Sequence, residues 1–202
     1  PGDVGVESVY DSEIETLAND PRVVAIGECG LDYFRLDGDA EKVKVRQKNI
    51  FESHIDLSLR INKPLMLHIR AQKDTYDAYA DALDILEHHA KQAGSKLRGN
   101  AHFFAGDMKI LKRFLDIGFT VSFTGVITFT TDYDECVRYT PLHMIMSETD
   151  APFVAPVPYR RQRNSHLYVP EVVKKIADIL GESFEYVRKT LVQNAIKYFN
   201  LG

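Results

Sequence analysis

Residues 64–70 read Pro64-Leu65-Met66-Leu67-His68-Ile69-Arg70, a short apolar run that opens at a proline and carries an imidazole near its end. Runs of this length, bounded by polar or helix-breaking residues, fit strands buried on both faces. Working outward, residues 39–61 place Val43, Ile50, Phe51, Ile55 and Leu59 at helical spacing. Residues 74–93 form a second amphipathic stretch that stops at Gly94, a residue suited to a left-handed helix end. The same alternation recurs along the chain. Apolar runs fall at 23–27, 100–104, 119–123 and 143–146. Helical stretches fall at 107–117 before Gly118, from near Pro170 to Gly181, and at 184–199, with a weaker one at 132–139.

Strands alternating with helices predict a parallel sheet with right-handed crossovers. An open doubly wound sheet and a (β/α)8 barrel both satisfy that pattern. The Gly-rich first turn that marks a nucleotide-binding open sheet is missing. The expectation is therefore an α/β fold, a TIM-like (β/α) barrel of about five βα units, with 1–202 forming a single domain. Eight strands close such a barrel, and the chain opens at Pro1-Gly2-Asp3, so its first strands are expected to be lacking.

A formal charge of −4 argues against nucleic-acid binding through a broad basic surface. It leaves room for a phosphate substrate gripped locally by cations and a few arginines. Cys29 and Cys136 form no Cys-x-x-Cys pair, which excludes a thiolate zinc site of the usual spacing. No apolar run reaches the roughly 18 to 20 residues that a membrane span requires. A cytoplasmic chain is expected, with the nucleus as the other compartment consistent with it.

Metal-ligating residue types recur at the ends of the apolar runs. Glu28 follows 23–27, His68 and His102 close the next two, and Glu148 and Asp150 follow the last. Parallel strands put their C-terminal ends on one face, where barrel sites are built. The steps from Glu28 to His68, His102 and Asp150 are each about one βα unit, so residues far apart in sequence are expected to converge. Imidazoles with carboxylates suit zinc, or manganese and magnesium where oxygen ligands dominate. Each residue alone has an ordinary structural role available, as a bonded core histidine or a turn cap. Together they point to a metal centre. Arg160, Arg161 and Arg163 in Tyr159-Arg160-Arg161-Gln162-Arg163 are a local anchor for nucleic-acid backbone; as the alternative, they are a solvated loop paired with nearby acids.

These segments resemble the TatD-type metal-dependent deoxyribonucleases of the amidohydrolase superfamily. The matching blocks are residues 27–35 around Glu28, Leu67-His68-Ile69-Arg70, residues 101–106 around His102, residues 122–129, residues 147–153 from Ser147 to Phe153, and residues 156–160. The resemblance implies that Glu28 bridges two cations, that His68 and His102 bind one, and that Asp150 binds the other. It implies Arg70 and Arg160 as contacts to a DNA backbone, to which the arginine loop adds Arg163, and Glu148 as a carboxylate that orients a ligand or the water. The family's opening His-x-His strand has no counterpart in this sequence, and Arg163-Asn164-Ser165-His166 stands where the family has Arg-Asn-Glu-Pro. The activity this implies is hydrolysis of DNA phosphodiester bonds, trimming single-stranded ends, with catalysis by Glu28, Asp150 and Glu148 and two divalent ions per complete site. Hydrolysis of another ester or an amide is the alternative on the same scaffold. A non-catalytic barrel remnant is the third reading if the chain is naturally this short.

Overall fold

The computed structural model describes residues 12–201. The chain forms two compact units, one up to Arg98 and one from Gly99 onward.

The first unit contains α1 (Ser12–Asn19), β1 (Ile26–Asp32), α2 (Ala40–Ile61), β2 (Leu65–Arg70) and α3 (Asp77–Ala93). Strands β1 and β2 pair in parallel, from Ile26 opposite Leu65 to Asp32 opposite Arg70. Asp39 caps α2 by accepting the Lys42 N–H, and Asn62 ends it in the left-handed conformation. Phe51, Ile55 and Leu57 of α2 and Ala82, Leu83 and Leu86 of α3 are fully buried with Leu65 and Leu67 of β2.

The second unit contains β3 (Gly99–Ala101), α4 (Met108–Asp116), β4 (Thr120–Phe123), α5 (Asp134–Tyr139), β5 (Ile145–Ser147), α6 (Val169–Leu180) and α7 (Phe184–Phe199). Here β3 pairs with β4 and β4 with β5, again in parallel. Asp107 caps α4 by accepting the Lys109 and Ile110 N–H groups. Phe104, Phe114, Phe119 and Phe123 make an aromatic core with ring centroids 6.1–6.4 Å apart.

The parallel α/β class and the helix order agree with the sequence. Several boundaries differ. The first strand is 26–32 rather than 23–27, because it alternates Ile26, Cys29 and Leu31 inward rather than running apolar throughout. His143 does not start a strand: it sits in a 3-10 turn over Leu142–Met144, closed by the Met144 N–H on the Pro141 carbonyl. Helix α3 starts at Asp77 rather than Asp74, since Asp77 instead gathers the Gln72 and Ala78 N–H groups and the Thr75 hydroxyl. Gly118, which ends the 107–117 stretch, has a positive φ of 77°, but Gly94 has φ 55° and ψ −138° and leads into a 3-10 turn.

Candidate metal centre

In the first unit, Glu28 lies within β1 and not at its end. The β1–β2 ladder pairs Gly27 with Met66 and then Cys29 with Leu67, so Glu28 is the extra residue of a bulge. A bulge re-aims the side chain it carries. Glycine on either side makes this possible. A Cβ on Gly27 would stand 2.6 Å from the Met66 carbonyl oxygen, and one on Gly30, at φ 139°, would stand 2.2 Å from the His68 oxygen. Gly30 is opposite His68 in the ladder.

His68 is held between two carboxylates. Its Nδ1 is 3.6 Å from Glu28 Oε2, and its Nε2 is 3.1 Å from Asp32 Oδ2. Glu28, Asp32, His68, Gln47, Ile50 and His54 line a cleft of about 390 Å³. Beneath it, burial pushes the Cys29 thiol up to about 12, with the Glu28 charge adding to the effect. His54 bonds the Ile50 carbonyl through Nδ1 at 2.8 Å, and burial lowers its pKa despite that bond.

In the second unit, His102 directly follows β3, and Glu148 and Asp150 follow β5. Asp150 has φ 52° and Phe103 φ 47°, a conformation that costs a non-glycine residue about 1 to 2 kcal/mol. His102 is again held between two carboxylates. Its Nδ1 hydrogen-bonds Glu148 Oε2, and its Nε2 is 3.7 Å from Asp150 Oδ1. Glu148 Oε1 also accepts the Phe103 N–H at 2.6 Å and the Ser122 hydroxyl at 2.5 Å.

The donor set fits a divalent cation. Two ligand atoms on one tetrahedral ion, with bonds of about 2.0 to 2.1 Å, stand about 3.3 Å apart. The Glu28–His68 and Asp150–His102 pairs lie within a few tenths of an ångström of that. In both cases the second imidazole nitrogen faces another carboxylate, which is how metal-binding histidines are oriented.

Arg70 lies over the Phe34 ring, 3.7 Å from its centroid, and Arg160 lies over Phe129 at 3.7 Å. Both arginines and Arg163 are exposed. Tyr159 stacks on Tyr168 at 3.8 Å. His166 is exposed on its loop. The structure adds residues that motif reading passed over. Asp32 faces His68, and the sequence held a signal, since Glu28 and Asp32 are both acids within one strand. Asn164 is buried and bonds the Thr149 and Phe153 carbonyls at 2.5 and 2.6 Å. The sequence marked it only as the amide kept from the family's Arg-Asn-Glu-Pro, with no hint that it clamps a loop.

A parallel α/β chain whose strands carry imidazole–carboxylate pairs at metal-ligand spacing is of the class that binds divalent cations on strand-borne ligands. The particular family is settled by comparison: a model described as TatD related DNase matches residues 1–200, and the chain belongs to that family. It is 35% identical over 195 residues to the uncharacterized metal-dependent hydrolase YcfH of Escherichia coli, covering 95% of this chain and 69% of that protein. It is 32% identical over 199 residues to the 3'-5' ssDNA/RNA exonuclease TatD of Pantoea vagans, covering 95% and 71%. The crystal structure of YjjV, a TatD homologue from Escherichia coli, shares the fold with a TM-score of 0.78 at 24% identity, over 93% of this chain and 69% of that one.

Proposed function

We propose that this chain supplies the catalytic residues of a metal-dependent hydrolase that cleaves phosphodiester bonds at single-stranded DNA ends. The observation that carries the reading is the repeated arrangement at His68 and His102, each with one nitrogen on an orienting carboxylate and the other facing a candidate ligand carboxylate. Glu28, His68, His102 and Asp150 are the cation ligands, with Asp32 and Glu148 fixing the two rings. Zinc, manganese and magnesium all suit these donors, two ions to a complete site. Bound there, they would supply Lewis acidity that makes an attacking water more acidic and offsets charge developing on phosphate. Glu28 and Asp150 each carry a carboxylate oxygen able to accept a proton from an attacking water. Arg70 and Arg160 carry guanidinium forks that match phosphate oxygens, each resting over an aromatic ring, Phe34 and Phe129. Arg163 extends that contact along the strand. No helix among the described residues is long and apolar enough to cross a membrane, in keeping with the cytoplasmic setting we propose.

Support for the substrate comes from the name borne by the Pantoea vagans relative and from the arginine-bearing loop. The test is hydrolysis of end-labelled single-stranded DNA by the full-length chain, with and without chelator, against a panel of other esters and amides. Cleavage that survives chelation, or is undiminished in Glu28→Ala and Asp150→Ala, would defeat the metal mechanism. Preference for a non-phosphate ester would replace the substrate.

A further inference from the structure

We propose that Thr120, Asn100 and Ser122 are positioning residues which, through Glu148, hold the His102 ring with a proton on Nδ1 and Nε2 turned towards Asp150. The consequence for cation binding rests on the metal-centre reading above. The proton placement itself does not.

All three side chains are buried, at 2–3% exposure, inside strands whose other positions are apolar. Polar side chains in such places are costly unless bonded, and these bond in one continuous line. Thr120 Oγ1 is 2.9 Å from Asn100 Oδ1, Asn100 Nδ2 is 2.8 Å from Ser122 Oγ, and Ser122 Oγ is 2.5 Å from Glu148 Oε1. The strand pattern puts them together: Asn100 and His102 are two apart along one strand run, Thr120 and Ser122 two apart along β4, and β3 pairs with β4.

The direction of every proton in this line follows from counting donors. Ser122 has a single hydroxyl proton. If the Asn100 oxygen faced Ser122, that proton would be needed on both Asn100 and Glu148. The amide nitrogen must therefore face Ser122, which leaves the Asn100 oxygen to accept from Thr120 and the Ser122 proton to go to Glu148. Glu148 Oε1 then accepts two hydrogen bonds, from Ser122 and from the Phe103 N–H. A carboxylate so engaged accepts at its other oxygen too, so His102 donates from Nδ1 to Oε2. The ring is thereby turned so that Nε2 faces Asp150 Oδ1 at 3.7 Å. Nε2 is then the nitrogen left to meet a cation. A ring donating from Nε2 to Glu148 would turn the wrong atom outward.

The test has two readouts on the full chain. In metal-free wild type, the ring 15N signals of His102 should report a proton on Nδ1; an unprotonated Nδ1 would overturn the inference whatever the variants do. In zinc titrations against a chromogenic chelator, Ser122→Ala should weaken binding about 10- to 100-fold, the range for lost outer partners of metal ligands. Ser122→Thr, which keeps the hydroxyl, should restore binding to near wild type. Wild-type zinc affinity in Ser122→Ala would also sink the proposal. If Ser122→Ala does not fold, the 15N measurement decides alone. A wild type that takes up no zinc, manganese or magnesium would count against the proposed function instead, leaving the 15N measurement to judge this inference.

Discussion

Gln47 grips the backbone of Asp32 on both sides: its Oε1 accepts the Asp32 N–H at 2.8 Å, and its Nε2 donates to the Asp32 carbonyl at 2.8 Å. A side chain from α2 thus completes the end of β1, at the residue whose carboxylate meets His68. Gln47→Ala should cost roughly 1 to 3 kcal/mol, since it leaves two partly buried backbone groups without these partners. Urea unfolding midpoints would measure the loss. Metal affinity should fall with it, because Asp32 loses the support that aims it. An unchanged midpoint would show that water replaces the amide at no cost.

Glu148→Gln keeps the shape of the side chain and reverses half of its polarity. An amide nitrogen would then face one of three donors: the Ser122 hydroxyl, the Phe103 N–H or the His102 ring. Metal affinity should drop about 10- to 100-fold with little change in far-UV circular dichroism. Full metal content after dialysis of this variant would show that Glu148 does not set the ligand.

Arg160 lies over the Phe129 ring and donates from Nη1 to the Ala155 carbonyl at 3.2 Å. A lysine cannot reproduce a planar fork with several edge donors. Arg160→Ala should reduce the slope of log affinity against log salt for single-stranded DNA by about 0.7, the value for one phosphate contact. Arg160→Lys should keep the slope and raise KM several-fold, by about 3 to 10 if one neutral-strength hydrogen bond is lost. Equal salt slopes in wild type and Arg160→Ala would remove Arg160 from the phosphate contacts.

His54 has its pKa lowered by burial, against an opposing hydrogen bond to the Ile50 carbonyl. The folded chain therefore binds fewer protons than the unfolded chain below the ordinary histidine value of about 6.5. The stability linked to His54 is complete above that value and falls as the pH drops towards the lowered folded pKa. Thermal midpoints between about pH 7 and pH 5 should decline less steeply in His54→Gln than in wild type. Identical slopes would mean that His54 does not contribute.

Both cysteines should resist alkylation in the folded chain. Burial raises Cys29 to about 12 and Cys136 to about 11, with Glu28 and Glu135 charges adding to the shifts, and the thiolate is the reactive form. Iodoacetamide at mild alkaline pH should label neither until denaturant is added. Rapid labelling of Cys29 in the native chain would show that the cleft above it opens.

The parallel α/β class was legible because its signal is periodic and repeated: helical spacing in α2, and amphipathic stretches that stop at glycines such as Gly118 and Gly181. The candidate ligands could be picked out because acids and imidazoles are conspicuous beside apolar runs. What sequence could not supply was anything set by close approach across strands. The bulge at Glu28 depends on Gly27 and Gly30 passing the backbone of Met66 and His68, and a search for apolar runs stops at Gly27, short of the strand's end at Asp32. Gln47 and Asn164 were invisible for another reason. An amide looks the same in sequence whether it faces solvent or clamps a backbone, and only the fold decides.

The buried Asn164 has a consequence for how this protein could diversify. It secures the loop after Asp150 through main-chain carbonyls at Thr149 and Phe153 and through its own N–H on the Pro152 carbonyl. None of these bonds consults a neighbouring side chain. Phe153, Arg161 and Arg163 project from that frame into solvent, so their identities can be exchanged while the curve that displays them stays the same. New preferences for what the loop touches are open to evolution, or to a library, by rewriting the display alone.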